Sequence, residues 1–136
     1  MRKFGVLLLA GVATAQAPGA FRPVATTMDL MKAMMEPASD ALFNAGDPAP
    51  KNDADWGKLR NQALILIESG NLMLLGDRAR DQDQWVTDTV RQMDAGQMAL
   101  KAIAAKDLDK LVGDVGTAIV ESCENCHRHY MKRAAK

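Results

Sequence analysis

Five residues near the end of the chain, Cys123-Glu124-Asn125-Cys126-His127, gather two thiols and an imidazole into one short segment. In C-x-x-C-H order these are the groups that attach a c-type haem. The two cysteines form thioether bonds to the porphyrin and the histidine ligates the iron. A helix suits that chemistry. At about 100° per residue, Cys126 lies roughly 60° to one side of Cys123 and His127 roughly 40° to the other, so all three share one face. Cysteine and histidine are scarce here, two of each in 136 residues, and a chance match has odds of about one in a thousand or less. One covalently bound haem c is therefore expected, with Cys123 and Cys126 as thioether sites and His127 as the proximal iron ligand. Tyr130, seven residues past Cys123, returns to the same side, where its ring packs against the cofactor edge or the core.

Two other uses of these residues compete. A disulfide between Cys123 and Cys126 would act as a redox or structural bridge, but the surrounding pattern is helical and lacks the strand-to-helix setting of a thioredoxin-like site. Zinc would need four ligands, which Cys123, Cys126, His127 and His129 supply by type. His129 falls about 160° from His127 around a helix, so the four do not converge, and His129 reads as a surface residue. Arg128, Lys132 and Arg133 make the last turns basic, as suits a helix C-terminus.

The elements that position this segment are helical. Only 4% of residues are aromatic against 48% hydrophobic, which favours helices packed through Leu, Ile, Val, Ala and Met over a sheet. Before the first helix lies an export signal: basic Met1-Arg2-Lys3, an apolar run from Phe4 to Val12, and small residues Ala13-Thr14-Ala15 for a peptidase. Residues 1–15 are expected to be removed, leaving a single domain over 16–136. Seventeen basic residues balance seventeen acidic ones, and loss of Arg2 and Lys3 leaves the mature chain at −2. No excess positive charge remains to hold a nucleic acid, and no apolar stretch is long enough for a permanent membrane span.

Four amphipathic segments follow. The first is expected from Thr26 to Asn44, with Val24, Met28, Met31, Met35, Ala38 and Leu42 at alternating spacings of four and three, and a bend at Pro37. Gly46 and Asp47-Pro48-Ala49-Pro50 end it in a turn. Asp53 or Asp55 caps the second, whose stripe is Leu59, Ala63, Leu66, Ile67, Gly70, Met73 and Leu74, with Gly76 as its stop. Asp81 or Asp83 opens the third, with Val86, Val90, Met93, Gln97, Leu100 and Ile103 on its inner face. Asp107 caps the fourth, which carries Leu108, Leu111, Val115, Ile119, Cys123, Cys126 and Tyr130. Small residues at Gly70, Gly96, Gly113 and Gly116 fit close approach by a bulky group or another backbone. Short joints predict an all-α, antiparallel up-and-down four-helix bundle.

An exported four-helix chain with Cys123-x-x-Cys126-His127-x-x-Tyr130 on its last helix resembles the cytochrome c′ or class II c-type cytochrome family over essentially the whole mature chain. The resemblance implies a haem buried in the bundle, fixed by the fourth helix and faced by the first, with Tyr130 as the aromatic after the axial histidine. Low-spin members of that family take a second axial ligand from a methionine of the first helix. Met31 lies centrally on both apolar rows and is the expected distal ligand, with Met28, Met34 and Met35 as alternatives. Many members carry Arg or Lys after the aromatic and an Arg one turn before the distal residue; this chain has Met131 and Thr27 there. The implied function is periplasmic single-electron transfer with redox partner proteins, and no catalytic turnover. The alternative is a five-coordinate iron that binds nitric oxide or carbon monoxide. The family also implies that the apolar first helix permits a homodimer.

Overall fold

The computed structural model describes residues 22–131. The expected signal peptide, and Lys132 and Arg133, lie outside those residues. Among the described residues the chain is all-helical, with four helices in an arrangement compatible with a helical bundle. None of them is long and apolar enough to cross a membrane.

Helix α1 covers residues 27–43 in three pieces, Thr27–Leu30, a π-helical turn Met31–Met35, and Glu36–Phe43. Its start is a reciprocal cap. The Thr26 hydroxyl accepts the Asp29 N–H at 3.1 Å, and the Asp29 carboxylate accepts the Thr26 N–H at 2.9 Å. The bend expected at Pro37 takes the form of the wide turn just before it, where the Glu36 N–H reaches the Met31 carbonyl. Pro37 has no donor for the Ala33 carbonyl and its ring crowds that position, so an extra residue in the preceding turn relieves both problems. Register changes as a result. Leu30, Met35, Ala38, Ser39 and Leu42 are the buried residues, and the step from Leu30 to Met35 is five positions where a regular helix takes three or four. Of the expected inner row, Met35, Ala38 and Leu42 are buried, whereas Val24, ahead of the helix, is 96% exposed and Met28 is 54% exposed.

Helix α2 is Asp53–Met73 and helix α3 is Gln84–Ala104. Asn52 caps α2 by accepting the Asp55 N–H at 3.0 Å, in place of the expected Asp53 or Asp55; those acids complement the first turn instead. Ala63, Leu66, Ile67, Gly70 and Met73 of the expected stripe are buried. Gly76 follows with a positive φ of 64°, which glycine adopts without steric cost at the end of a helix. The two helices approach closely through glycine. A Cβ on Gly70 would stand 2.5 Å from Met93 Cγ, and one on Gly96 would stand 2.5 Å from Ile67 Cγ1. Rising positions on α2 meet falling positions on α3, so this pair runs antiparallel.

That close approach overturns the expected inner face of α3. The buried residues are Trp85, Asp88, Thr89, Gln92, Ala95, Gly96, Ala99, Ala102 and Ile103, whereas Val90 and Gln97 are exposed and Val86, Met93 and Leu100 only half-buried. Large apolar residues mark a face in a hydropathy pattern, but here the small ones occupy it because only they let two backbones come together. Asp83 holds the N-cap position without a side-chain cap bond, and Asp81, two residues earlier, accepts the Trp85 N–H at 2.8 Å.

Helix α4 covers residues 108–130: Leu108–Lys110, a second π-helical turn Leu111–Val115, and Gly116–Tyr130. Asp107 caps it through the Lys110 N–H at 3.0 Å. Its C-terminal part packs on α3. Two buried clusters result. One, of Leu, Ile, Val and Ala, joins all four helices around Leu42, Leu66, Ala99, Leu111 and Ile119. The other, at the end that carries the C-x-x-C-H motif, gathers Leu30, Met35, Met73 and Trp85 with Met31, Met34, Cys126 and Tyr130 against them.

Candidate functional site

Between the helices at that second cluster lies a cavity of about 430 Å³, within the roughly 300–1,000 Å³ range of cofactor and small-molecule sites. From α4 it is lined by Cys123, Cys126, His127 and Tyr130, from α1 by Met28, Met31 and Met35, from α2 by Met73, and from α3 by Trp85, Asp88 and Gln92. Every expected cofactor-contacting residue is on this wall. The helical register that sequence spacing implied is the one that α4 adopts, so both thiols and the imidazole reach one cavity. Met34 is the exception among the four methionines of α1. It packs against Leu30, Met35, Met73 and Trp85 and is not among the lining residues.

The two cysteines are free and half-buried. Burial, with the nearby Asp88 charge next and Cys123 third, pushes the Cys126 thiol up to about 11, and burial also raises Cys123. Thiols in this state are protonated at neutral pH and poor in the thiolate that drives disulfide exchange. His129 does not join a metal cluster with them: its Nδ1 lies 2.8 Å from Asp88 Oδ2. Among the described residues, no group of three or more His, Cys, Asp or Glu side chains is placed to hold a metal ion. A haem iron needs only one or two protein ligands, its other four being porphyrin nitrogens, and His127 with a thioether suffices.

Tyr130 is held from two sides. Its ring meets Trp85 edge-to-face, with centroids 4.9 Å apart at 79°, and its hydroxyl donates a hydrogen bond to Asp81. Desolvation, and then the carboxylate of Asp81, push the phenol up to about 12, while the same bond lowers Asp81. Trp85 in turn donates its indole N–H to the Met73 carbonyl at 2.9 Å, fixing the floor of the cavity.

Sequence patterns did not single out Asp88, Gln92, Trp85 or Met73 as site residues. Asp88 is completely buried and accepts from Gln84 Nε2 at 2.9 Å as well as from His129. Gln92 donates to the Leu66 carbonyl at 2.7 Å, and its Oε1 is buried without a partner. The available signal was a run of polar residues at 88, 89 and 92, four and three apart, on a helix whose other faces are also polar. Without knowing that Gly96 and Ala99 face inward, nothing marks that row as interior. Comparison with protein-family models, with curated proteins and with solved structures gives no match.

The residues present fit a covalently held haem. A flat apolar macrocycle needs a cavity whose lining is mostly carbon and sulfur, two thiols on one side and an imidazole beside them, and these share one wall system here.

Proposed function

We propose that this chain is a monohaem c-type cytochrome of the cytochrome c′ arrangement, an antiparallel up-and-down bundle that passes single electrons between redox partner proteins in the periplasm. The observation that carries the reading is the convergence of Cys123, Cys126 and His127 on an apolar cavity also lined by methionines of α1. Cys123 and Cys126 would hold the haem through thioethers, His127 would ligate its iron, and Met31 would supply a second iron ligand, with Met28 and Met35 on the same wall. Bound there, the haem supplies a one-electron iron couple, and a neutral thioether ligand favours the reduced state.

The chain's own residues do the rest. Leu66, Met73 and Trp85 exclude water from the cavity, which stabilises whichever iron state carries less net charge. The T-shaped contact of Tyr130 with Trp85 and its bond to Asp81 keep the last turn of α4 against α3, so the imidazole three residues earlier keeps its place.

A haem-sized mass addition on the denatured, exported protein tests attachment, and its absence rejects the proposal. Sharp low-spin ferrous bands are expected from the native protein, and Met31→Ala is expected to convert them to a high-spin spectrum that changes with carbon monoxide. A wild-type protein that already responds to carbon monoxide with a broad high-spin spectrum would replace electron transfer with gas binding at a five-coordinate iron.

A further inference from the structure

Burying an aspartate is costly unless it is paired and hydrogen-bonded. Asp88 is such a group. Its side chain has no exposure and belongs to the cavity lining. Other small polar side chains on this wall turn back to their own helices: Thr89 Oγ1 donates to the Trp85 carbonyl at 2.7 Å, Ser122 Oγ to the Ile119 carbonyl at 2.8 Å, and Ser39 Oγ to the Met35 carbonyl at 2.6 Å. Asp88 instead reaches across to α4. A carboxylate only accepts hydrogen bonds, so His129 Nδ1 carries the hydrogen in the 2.8 Å contact. Gln84 Nε2 donates to the other oxygen at 2.9 Å, and the Arg91 guanidinium, 3.9 Å away, is mostly in solvent.

The contact has a particular place in the motif. His129 and Tyr130 directly follow the C-x-x-C-H segment, and each is held by a carboxylate of the α3 region, Asp88 for one and Asp81 for the other. Two such contacts one residue apart fix both the height and the rotation of the last turns of α4. Only the Asp88 contact places its anion on the cavity wall without exposure.

We propose that Asp88 is a positioning residue for the haem segment, holding α4 through His129 and setting a buried negative charge that lowers the reduction potential of the haem. The inference rests on the haem reading above. An anion in a poorly screened interior stabilises the ferric over the ferrous state, because oxidation adds one positive charge to the iron. The hydrogen bond from His129 offsets part of that field. Charge loss at 88 and donor loss at 129 must then act in opposite directions, which simple loosening of α4 does not produce.

Wild type, Asp88→Asn and His129→Ala are compared by intact mass and by equilibrium redox titration of the exported protein. With haem attached, Asp88→Asn is expected to raise the reduced-to-oxidised ratio at a fixed poise by about tenfold, which is about 59 mV for a one-electron couple. His129→Ala is expected to lower it. Potentials that stay at the wild-type value, or that move in the same direction in both variants, overturn the inference while leaving the haem reading intact. If Asp88→Asn does not accumulate, His129→Ala decides alone, since its site is half-exposed: a lowered potential supports the role of Asp88, and an unmoved or raised one rejects it. Absence of the mass addition from wild type instead rejects the haem reading itself.

Discussion

The two ends of this molecule are built by different rules. At one end, Leu42, Ala63, Ala99, Leu111, Val115 and Ile119 are buried to 1% exposure or less, and the interior is filled by small and branched aliphatic side chains. At the other, Met35, Met73 and Trp85 surround a cavity of about 430 Å³, and polar Asp88 and Gln92 share its wall. The first end satisfies the packing density of a protein interior from its own residues. The second borders a cavity, and side chains that face open space make fewer dispersion contacts than those of a filled core. Asp88 and Gln92, both buried, are the larger polar side chains of that wall.

The largest expected effect comes from removing the two thiols that the proposed haem would use. Cys123→Ser with Cys126→Ser is expected to abolish the haem-sized mass addition. It is also expected to raise amide exchange around Met31, Met73 and Trp85 while exchange around Ala99 and Leu111 stays slow. Uniform loss of protection along all four helices would break the comparison, because it would mean that the aliphatic end also depends on the guest.

Side-chain truncation in that cysteine-free background gives the next largest difference. Leu111→Ala is expected to cost ~2–5 kcal/mol, the cost of an aliphatic cavity in a filled core. Met73→Ala removes a side chain of similar burial, but one that already borders empty space and so loses fewer contacts, and it is expected to fall at the low end of that range, about 2 kcal/mol. Denaturant midpoints of the two variants measure the contrast, and equal or reversed costs would remove it.

Gly96 tests the seam that joins the ends. Its missing Cβ would lie 2.5 Å from Ile67 Cγ1, so Gly96→Ala must push α3 from α2 or turn Ile67 off its rotamer. Overpacking of that kind costs about 1–3 kcal/mol, against about 1 kcal/mol regained in helix propensity. A net loss of ~1 kcal/mol is expected in the denaturant midpoint. A gain in stability would show that the helices are not locked there and that the buried row on α3 can shift.

How far the sequence showed these two ends follows from what hydropathy can register. The C-x-x-C-H spacing depends only on local helix geometry, and α4 keeps that geometry through Cys123, Cys126, His127 and Tyr130. Leu66, Ile67, Met73, Leu111 and Ile119 were legible because large apolar residues recur at three and four. The inner face of α3 was not, since Ala95, Gly96, Ala99 and Ala102 are buried for their smallness and Asp88 for its bond to His129. Both causes lie on other helices. Leu30 was passed over because the π-helical turn ahead of Pro37 inserts one residue into a periodicity that sequence reading carries through unbroken.

The smallest predicted effect is also the most local. The chain has one tyrosine, so its near-ultraviolet phenolate absorbance reports Tyr130 alone. Partial burial comes first and the Asp81 carboxylate second in pushing that phenol up to about 12, above the usual tyrosine value of about 10. The folded state therefore keeps its proton where the unfolded chain has lost it. This contribution to stability is complete below about pH 10 and is lost as pH rises towards about 12. Asp81→Asn removes the negative partner and is expected to bring the titration down towards the ordinary value, while Leu111→Ala at the aliphatic end is expected to leave it where it is. A phenol that titrates at about 10 in wild type would mean that the last turn of α4 is not held against α3, and the cavity end would then lack the fixed wall that positions His127.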